Sequence, residues 1–228
     1  MISSNRKYDT VIFDLDGTLL NTLDDLTDSV NYALLSEGLP QRTLSEVRIF
    51  VGNGIAQLIE RAVPEGTPQE IKTSVLAGFR RHYTDNCENK TRPYDGVCEL
   101  LDRLCENGFK TAVVSNKMDS AVRVLCRKYF GDRILFSVGD KEGLPRKPAP
   151  DSVFEVLKKL SSACERSVYV GDSDVDIQTA RNAGMDCISV TWGFREKDFL
   201  IKSGAVMTAD KPSELADLLL ADDDPSNL

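Results

Sequence analysis

The chain has 228 residues, of which 41% are apolar and 28% charged, with a formal net charge of −8. That length suits one α/β core with a modest insertion, and the composition is that of an ordinary globular protein. Its acidic surplus repels nucleic acid and anionic membranes, and no apolar run approaches the roughly 20 residues a spanning helix needs, so neither partner is expected.

The first element is an apolar, β-prone run, Val11-Ile12-Phe13, that ends in Asp14-Leu15-Asp16-Gly17-Thr18-Leu19. It reads as a buried strand stopping in a loop, and open α/β sheets bind ligands outside the carboxyl ends of such strands. Two charges there are costly unless a metal or protons compensate them. One carboxylate can attack an electrophile while its neighbour moves a proton, and Gly17 lets the backbone approach a ligand. Alone, such a segment is as readily a turn in which the aspartates merely cap the next stretch of chain.

From Asn21 to Thr91 no strand pattern appears. Leu23, Leu26, Val30 and Leu34 recur at helical spacing, as do Ile55, Leu58, Ile59 and Ala62, and a long amphipathic stretch follows Pro68. Gly52-Asn53-Gly54 lacks the third glycine of a dinucleotide loop; it suits a helix N-terminus whose N–H groups could take a small carboxylate. Arg42, Arg48 and Arg61 are candidate charges for that anion, although solvated helix faces explain them equally well. The only histidine, His82, lies in this block and reads as a partly exposed residue without a catalytic part.

After Tyr94, βα alternation resumes, with helices predicted near Val97–Glu106, Asp119–Tyr129, from Asp151, from Asp174 and at Ser213–Leu220. Strands are predicted near Thr111–Ser115, Ile134–Val138, Val168–Val170 and Cys187–Val190, and the acidic tail Asp222–Leu228 is expected to be disordered. Three further strand-to-loop junctions answer the first: Ser115-Asn116-Lys117, Lys147-Pro148, and Gly171-Asp172-Ser173-Asp174-Val175-Asp176. A hydroxyl and an amide can donate to phosphate oxygens. The cysteines Cys87, Cys98, Cys105, Cys126, Cys164 and Cys187 are scattered without a C-x-x-C pair. They are expected to be reduced, mostly buried thiols of a cytoplasmic protein without a zinc site or a secretory leader.

With these motifs in order, the chain resembles the haloacid dehalogenase-like hydrolases, and within them the phosphoglycolate phosphatase group. Arg92-Pro93-Tyr94-Asp95-Gly96-Val97 resembles the family's return from cap to core, and Val51-Gly52-Asn53-Gly54 a segment of the phosphoglycolate phosphatase cap. The resemblance implies a Rossmann-like α/β core, a parallel sheet with helices on both faces, formed by residues 1–20 and 91–228. Residues 21–90 would be an inserted α-helical cap. It further implies an aspartyl-phosphate mechanism with Asp14 as nucleophile and Asp16 as proton donor and acceptor. Ser115, Asn116 and Thr18 would hold the substrate beside the cap glycines Gly52 and Gly54, and Lys147 would neutralise charge. Mg²⁺ would be held by Asp14, the Asp16 carbonyl and Asp172, with Asp176 supporting. Lys117 is expected to be a solvated neighbour and Asp174 a helix N-cap.

The expected partner is a small phosphorylated metabolite, with phosphoglycolate foremost; pyrophosphate, sugar phosphates and nucleoside monophosphates remain open. A phosphosugar mutase would use the same aspartates. A dehalogenase is disfavoured by the acid at Asp16, and a phosphonatase by the want of a lysine near the glycine turn. A phospho-aspartate signalling module is disfavoured by the chain's length and helical insertion. No G-K-[ST] loop or G-x-S-x-G elbow is present.

Overall fold

In the computed structural model, which describes residues 6–222, β1 (Thr10–Phe13) lies at the middle of the main sheet. A short β2 (Leu20–Asn21) comes next, then four helices in succession: α1 (Leu23–Ser36), α2 (Leu44–Phe50), α3 (Ile55–Ala62) and α4 (Gln69–Asn86). β3 (Arg92–Pro93) returns the chain by pairing antiparallel with β2, Leu20 opposite Pro93 and Asn21 opposite Arg92. The helical block therefore leaves and re-enters through two adjacent segments. Asp25 secures that crossing, for its buried carboxylate accepts the backbone N–H groups of Lys90 and Thr91 at 2.8–3.0 Å.

Regular alternation then resumes: α5 (Val97–Glu106), β4 (Lys110–Met118), α6 (Asp119–Phe130), β5 (Phe136–Asp140), α7 (Asp151–Leu160), β6 (Ser167–Gly171), α8 (Asp174–Ala183) and β7 (Asp186–Val190). Three smaller elements complete it: α9 (Lys197–Lys202), β8 (Met207–Ala209) and α10 (Pro212–Leu220). The six strands stand in the order β5-β4-β1-β6-β7-β8, every pair parallel. Side chains alternate across the sheet as the pleat requires. Val11 and Phe13 join the larger apolar cluster with α5, α6 and α10, while Ile12 joins Val114, Val153, Val156 and Ala180 under α7 and α8. Helices thus cover both faces, the expected α/β architecture.

Several expectations are refined. β4 continues to Met118 rather than ending at Ser115, and β8, α2 and α9 carry too little periodicity for the sequence to mark them. Asp174 does not cap α8; Ser173 does, in a capping box with Asp176, and Asp174 is the first helical residue. Of the cysteines, all free, only Cys87 and Cys126 are buried, and Cys105 is exposed, so burial is not their common rule. The expectation for the tail falls, apart from Asp222, outside the described residues. No helix of the described residues is long and apolar enough to cross a membrane.

Candidate active site

The C-terminal ends of β1, β4 and β6 converge on one cleft, and each delivers polar groups that its apolar strand holds rigidly. Asp14 leaves β1 with its N–H bonded to the Val170 carbonyl at 2.8 Å. Asp172 and Asp176 come from the end of β6 and the first turn of α8. Carboxylate oxygens of Asp14, Asp172 and Asp176 lie within 4.8 Å of one another.

Lys147, from the loop before α7, reaches into this group. Its Nζ lies 2.9 Å from Asp14 Oδ1 and 2.7 Å from Asp176 Oδ1, and it is 5% exposed. Tyr169, buried in β6, accepts a third bond from it at 3.1 Å. The Asp176 carboxylate is fully committed, with Oδ2 accepting from the Ser173 N–H and hydroxyl. Among the described residues no cation contacts Asp172; it accepts from Thr18 Oγ1 at 3.2 Å and from the Phe194 N–H at 2.7 Å.

Charge is therefore crowded. Burial pushes Asp14 up to about 7, with Lys147 opposing and Asp176 and Asp16 adding to the rise. Burial, then the nearby Asp176 and Asp14, lifts Asp172 to about 8. Burial would depress the Lys147 ammonium, yet Asp14 and Asp176 overrule it and hold it well above the ordinary lysine value.

Glycines let the carboxylates come this close. Gly17 has φ +87, and a Cβ there would land on the Asp172 carboxylate; a Cβ at Gly193 would strike the same carboxylate and the Gly17 carbonyl. Gly193 escaped the sequence reading because it stands in no motif. Its requirement arises only when Asp172 packs against that loop.

Ser115 is buried at the cleft; its Oγ accepts from the Lys117 N–H at 3.3 Å, and its O–H donates to no group among the described residues. Asn116 uses both amide hydrogens as a bracket, to the carbonyls of Gly52 and Lys147 at 3.1 Å each, so its side chain ties the helical block to the lysine loop. Thr18 is fully buried, and its hydroxyl donates to Asp172. Gly52 and Gly54, with φ of +125 and +82, open α3 beside the cleft, as their pattern predicts.

The solvated position expected for Lys117 is corrected. Because β4 runs on, Lys117 is carried inward and is 5% exposed, with its Nζ 2.9 and 3.2 Å from the two Asp16 carboxylate oxygens. It also donates to the hydroxyl of Tyr83 on α4. Nothing in the helical periodicity of α4 distinguishes Tyr83 from other core aromatics.

The arginines also differ from expectation. Arg42 donates to the Ala62 carbonyl and Arg61 to the Phe50 carbonyl, so both brace the helical block itself. Arg48 donates to the carbonyls of Phe194 and Gly193 at 2.8 and 2.9 Å. Arg195 returns the contact, donating to the carbonyls of Arg48, Ile49 and Val51. His82 is partly buried, stacked on Tyr32 and bonded to Ser29, away from the cleft. The upper cleft wall is apolar, with Leu26, Val51, Ile55, Leu58, Met118 and Phe194.

Comparison with known proteins agrees with this geometry. The family model of the haloacid dehalogenase-like hydrolases matches residues 11–190. The phosphoglycolate phosphatase of Mesorhizobium japonicum is 34% identical over 82% of this chain and 84% of its own, and that of Aquifex aeolicus 30% identical over 92% and 95%. A crystal structure from Lactobacillus delbrueckii subsp. bulgaricus, provisionally assigned as a phosphoglycolate phosphatase, superposes with TM-score 0.90 at 38% identity, covering 95% of this chain and 100% of that one. Strand order, the four loops gathered at one sheet end and these relatives agree: the chain belongs to the haloacid dehalogenase-like hydrolase family.

Proposed function

We propose that this enzyme is a Mg²⁺-dependent phosphatase that hydrolyses a small phosphomonoester through an aspartyl-phosphate on Asp14. Phosphoglycolate is the first candidate, because the Mesorhizobium and Aquifex relatives carry that activity in their names. One observation carries the proposal: among the described residues, three carboxylates share a buried space with a single lysine among them, and Asp172 touches no cation. Such an oxygen-rich, over-acidic set fits a hard divalent cation. Asp14 and Asp172, with the Asp16 carbonyl, are the groups that would hold it, since Asp176 has both oxygens engaged by Lys147 and Ser173. When bound there, the ion supplies charge neutralisation and a template for phosphate oxygens.

The chain's own residues do the rest. Asp14 attacks phosphorus in line as the leaving oxygen departs. Asp16 gives that oxygen a proton, then takes one from the water that opens the aspartyl-phosphate, so its proton inventory closes over a turnover. Lys147 offsets the anionic charge beside Asp14, and the Ser115 hydroxyl is available to a phosphoryl oxygen. Residues 21–90 work as a lid over the cleft that excludes bulk water during transfer and opens for exchange. The first turn of α3, begun by Gly54, offers N–H groups suited to the carboxylate of a short leaving group.

Phosphate release from a panel of phosphomonoesters, with and without Mg²⁺, tests this. Hydrolysis that needs Mg²⁺ and ranks phosphoglycolate near the top is expected. Full activity in EDTA overturns the metal assignment, and a profile led by hexose phosphates or nucleotides overturns the substrate while leaving the phosphatase.

A further inference from the structure

Asp16, which the proposed function makes the proton carrier, is not free in the cleft. Lys117 Nζ grips both of its carboxylate oxygens at 2.9 and 3.2 Å, and the third ammonium hydrogen goes to the Tyr83 hydroxyl. The contact is with the Tyr83 hydroxyl, at the edge of the ring and not over its face. Tyr83 is itself fixed: it is 1% exposed and stacked on Phe79 with ring centres 5.3 Å apart. Three donors are thus matched to three acceptors, and the lysine has no hydrogen left for another partner.

The elements involved make the arrangement informative. Asp16 comes from the loop after β1, Lys117 from the end of β4, and Tyr83 from the helical block. A carboxylate on a loop has two side-chain torsions to settle, and a bidentate cation fixes both. A lysine so buried requires that its partners stay in place, since an unpaired ammonium there is strongly disfavoured.

We infer that Lys117 and Tyr83 are positioning residues for Asp16, and that the helical block completes the proton-transfer geometry by presenting Tyr83 to Lys117. This rests on Asp16 being the proton carrier, and the experiment keeps the two apart. The measured quantity is kcat/KM, which reports steps up to leaving-group departure, for an alkyl phosphate and for p-nitrophenyl phosphate, whose leaving group needs little protonation. Asp16→Asn should lower the alkyl value by about 10²-fold or more and the p-nitrophenyl value by much less. Lys117→Met should reproduce that split, Lys117→Arg should recover part of the loss, and Tyr83→Phe should show the split weakly, about tenfold or less. In the double variant, Lys117→Met should add little to Asp16→Asn, because both remove one function. The Mg²⁺-induced rise in melting temperature of Lys117→Met shows that the variant folds and holds the ion.

Equal losses for both substrates with Asp16→Asn overturn the proton role and the inference with it. A split with Asp16→Asn but equal losses with Lys117→Met, or additive losses in the double variant, overturn the inference alone. If Lys117→Met does not fold, Tyr83→Phe decides: an unaltered kcat/KM for the alkyl phosphate overturns the part assigned to the helical block.

Discussion

At the scale of single residues, Asp14, the proposed nucleophile, lies against Lys147, and Asp16 is tethered by Lys117. Asp14→Asn should lower turnover by at least about 10³-fold and leave no covalent phosphate on the protein, because an amide cannot attack phosphorus; intact-protein mass after a rapid acid quench reads this. A residual phosphoenzyme in that variant would move the nucleophile elsewhere. Gly193→Ala belongs to the same scale. Its new methyl group meets the Asp172 carboxylate and the Gly17 carbonyl, so something in the acidic set must shift. Mg²⁺ affinity, measured by titration calorimetry, should fall about tenfold or more. An unchanged affinity would detach Asp172 from the metal.

At the scale of elements, the two arginines form a reciprocal clasp between the helical block and the loop after β7. Arg48 donates downward to Gly193 and Phe194, and Arg195 donates upward to the end of α2 and the turn after it. Phe194 in turn presents its N–H to Asp172, so the clasp and the acidic set share one loop. A neutral-acceptor hydrogen bond to a charged donor contributes about 1.5–3 kcal/mol. Arg195→Ala removes three, and the docked helical block should become markedly less favoured. Limited proteolysis within residues 21–90 should accelerate, and kcat/KM should fall about tenfold. Unchanged cleavage and rate would show that the clasp is dispensable.

At the scale of the whole molecule, crowded acid couples stability, pH and metal. Asp14 and Asp172 rise from 3.8 to about 7 and about 8 in the folded chain. The folded protein therefore keeps protons that the unfolded chain has already lost, and without metal these two groups make folding less favourable as pH climbs from about 4 to 8. A divalent cation competes with those protons. Added Mg²⁺ should consequently raise the melting temperature more at pH 8.5 than at pH 5.5, and EDTA should abolish the difference. Equal shifts at the two pH values would exclude these carboxylates as the ligands. Ca²⁺ should inhibit while still stabilising, since its larger and looser shell holds the site without the same geometry.

The sequence by itself determined the sheet-and-helix alternation, the helical interruption after β1 and the four loops that meet at one sheet end. These are local facts: apolar period, strand-ending acids, and glycine or proline punctuation. Asp14 and Asp172 were legible because each directly follows a strand end within a short motif, and Lys147 because its Lys-Pro pair stands in the loop that leads into α7. Tertiary structure alone decided what the other polar groups do. Thr18 turns to Asp172 and Asn116 spans Gly52 and Lys147, while Arg48 faces a core loop instead of a ligand. Lys117 looked like a surface charge because its burial depends on β4 running on to Met118 and on an acceptor, Tyr83, 34 residues earlier. A hydrogen bond spends a donor on whichever acceptor the fold brings near, and residue type limits that choice without making it.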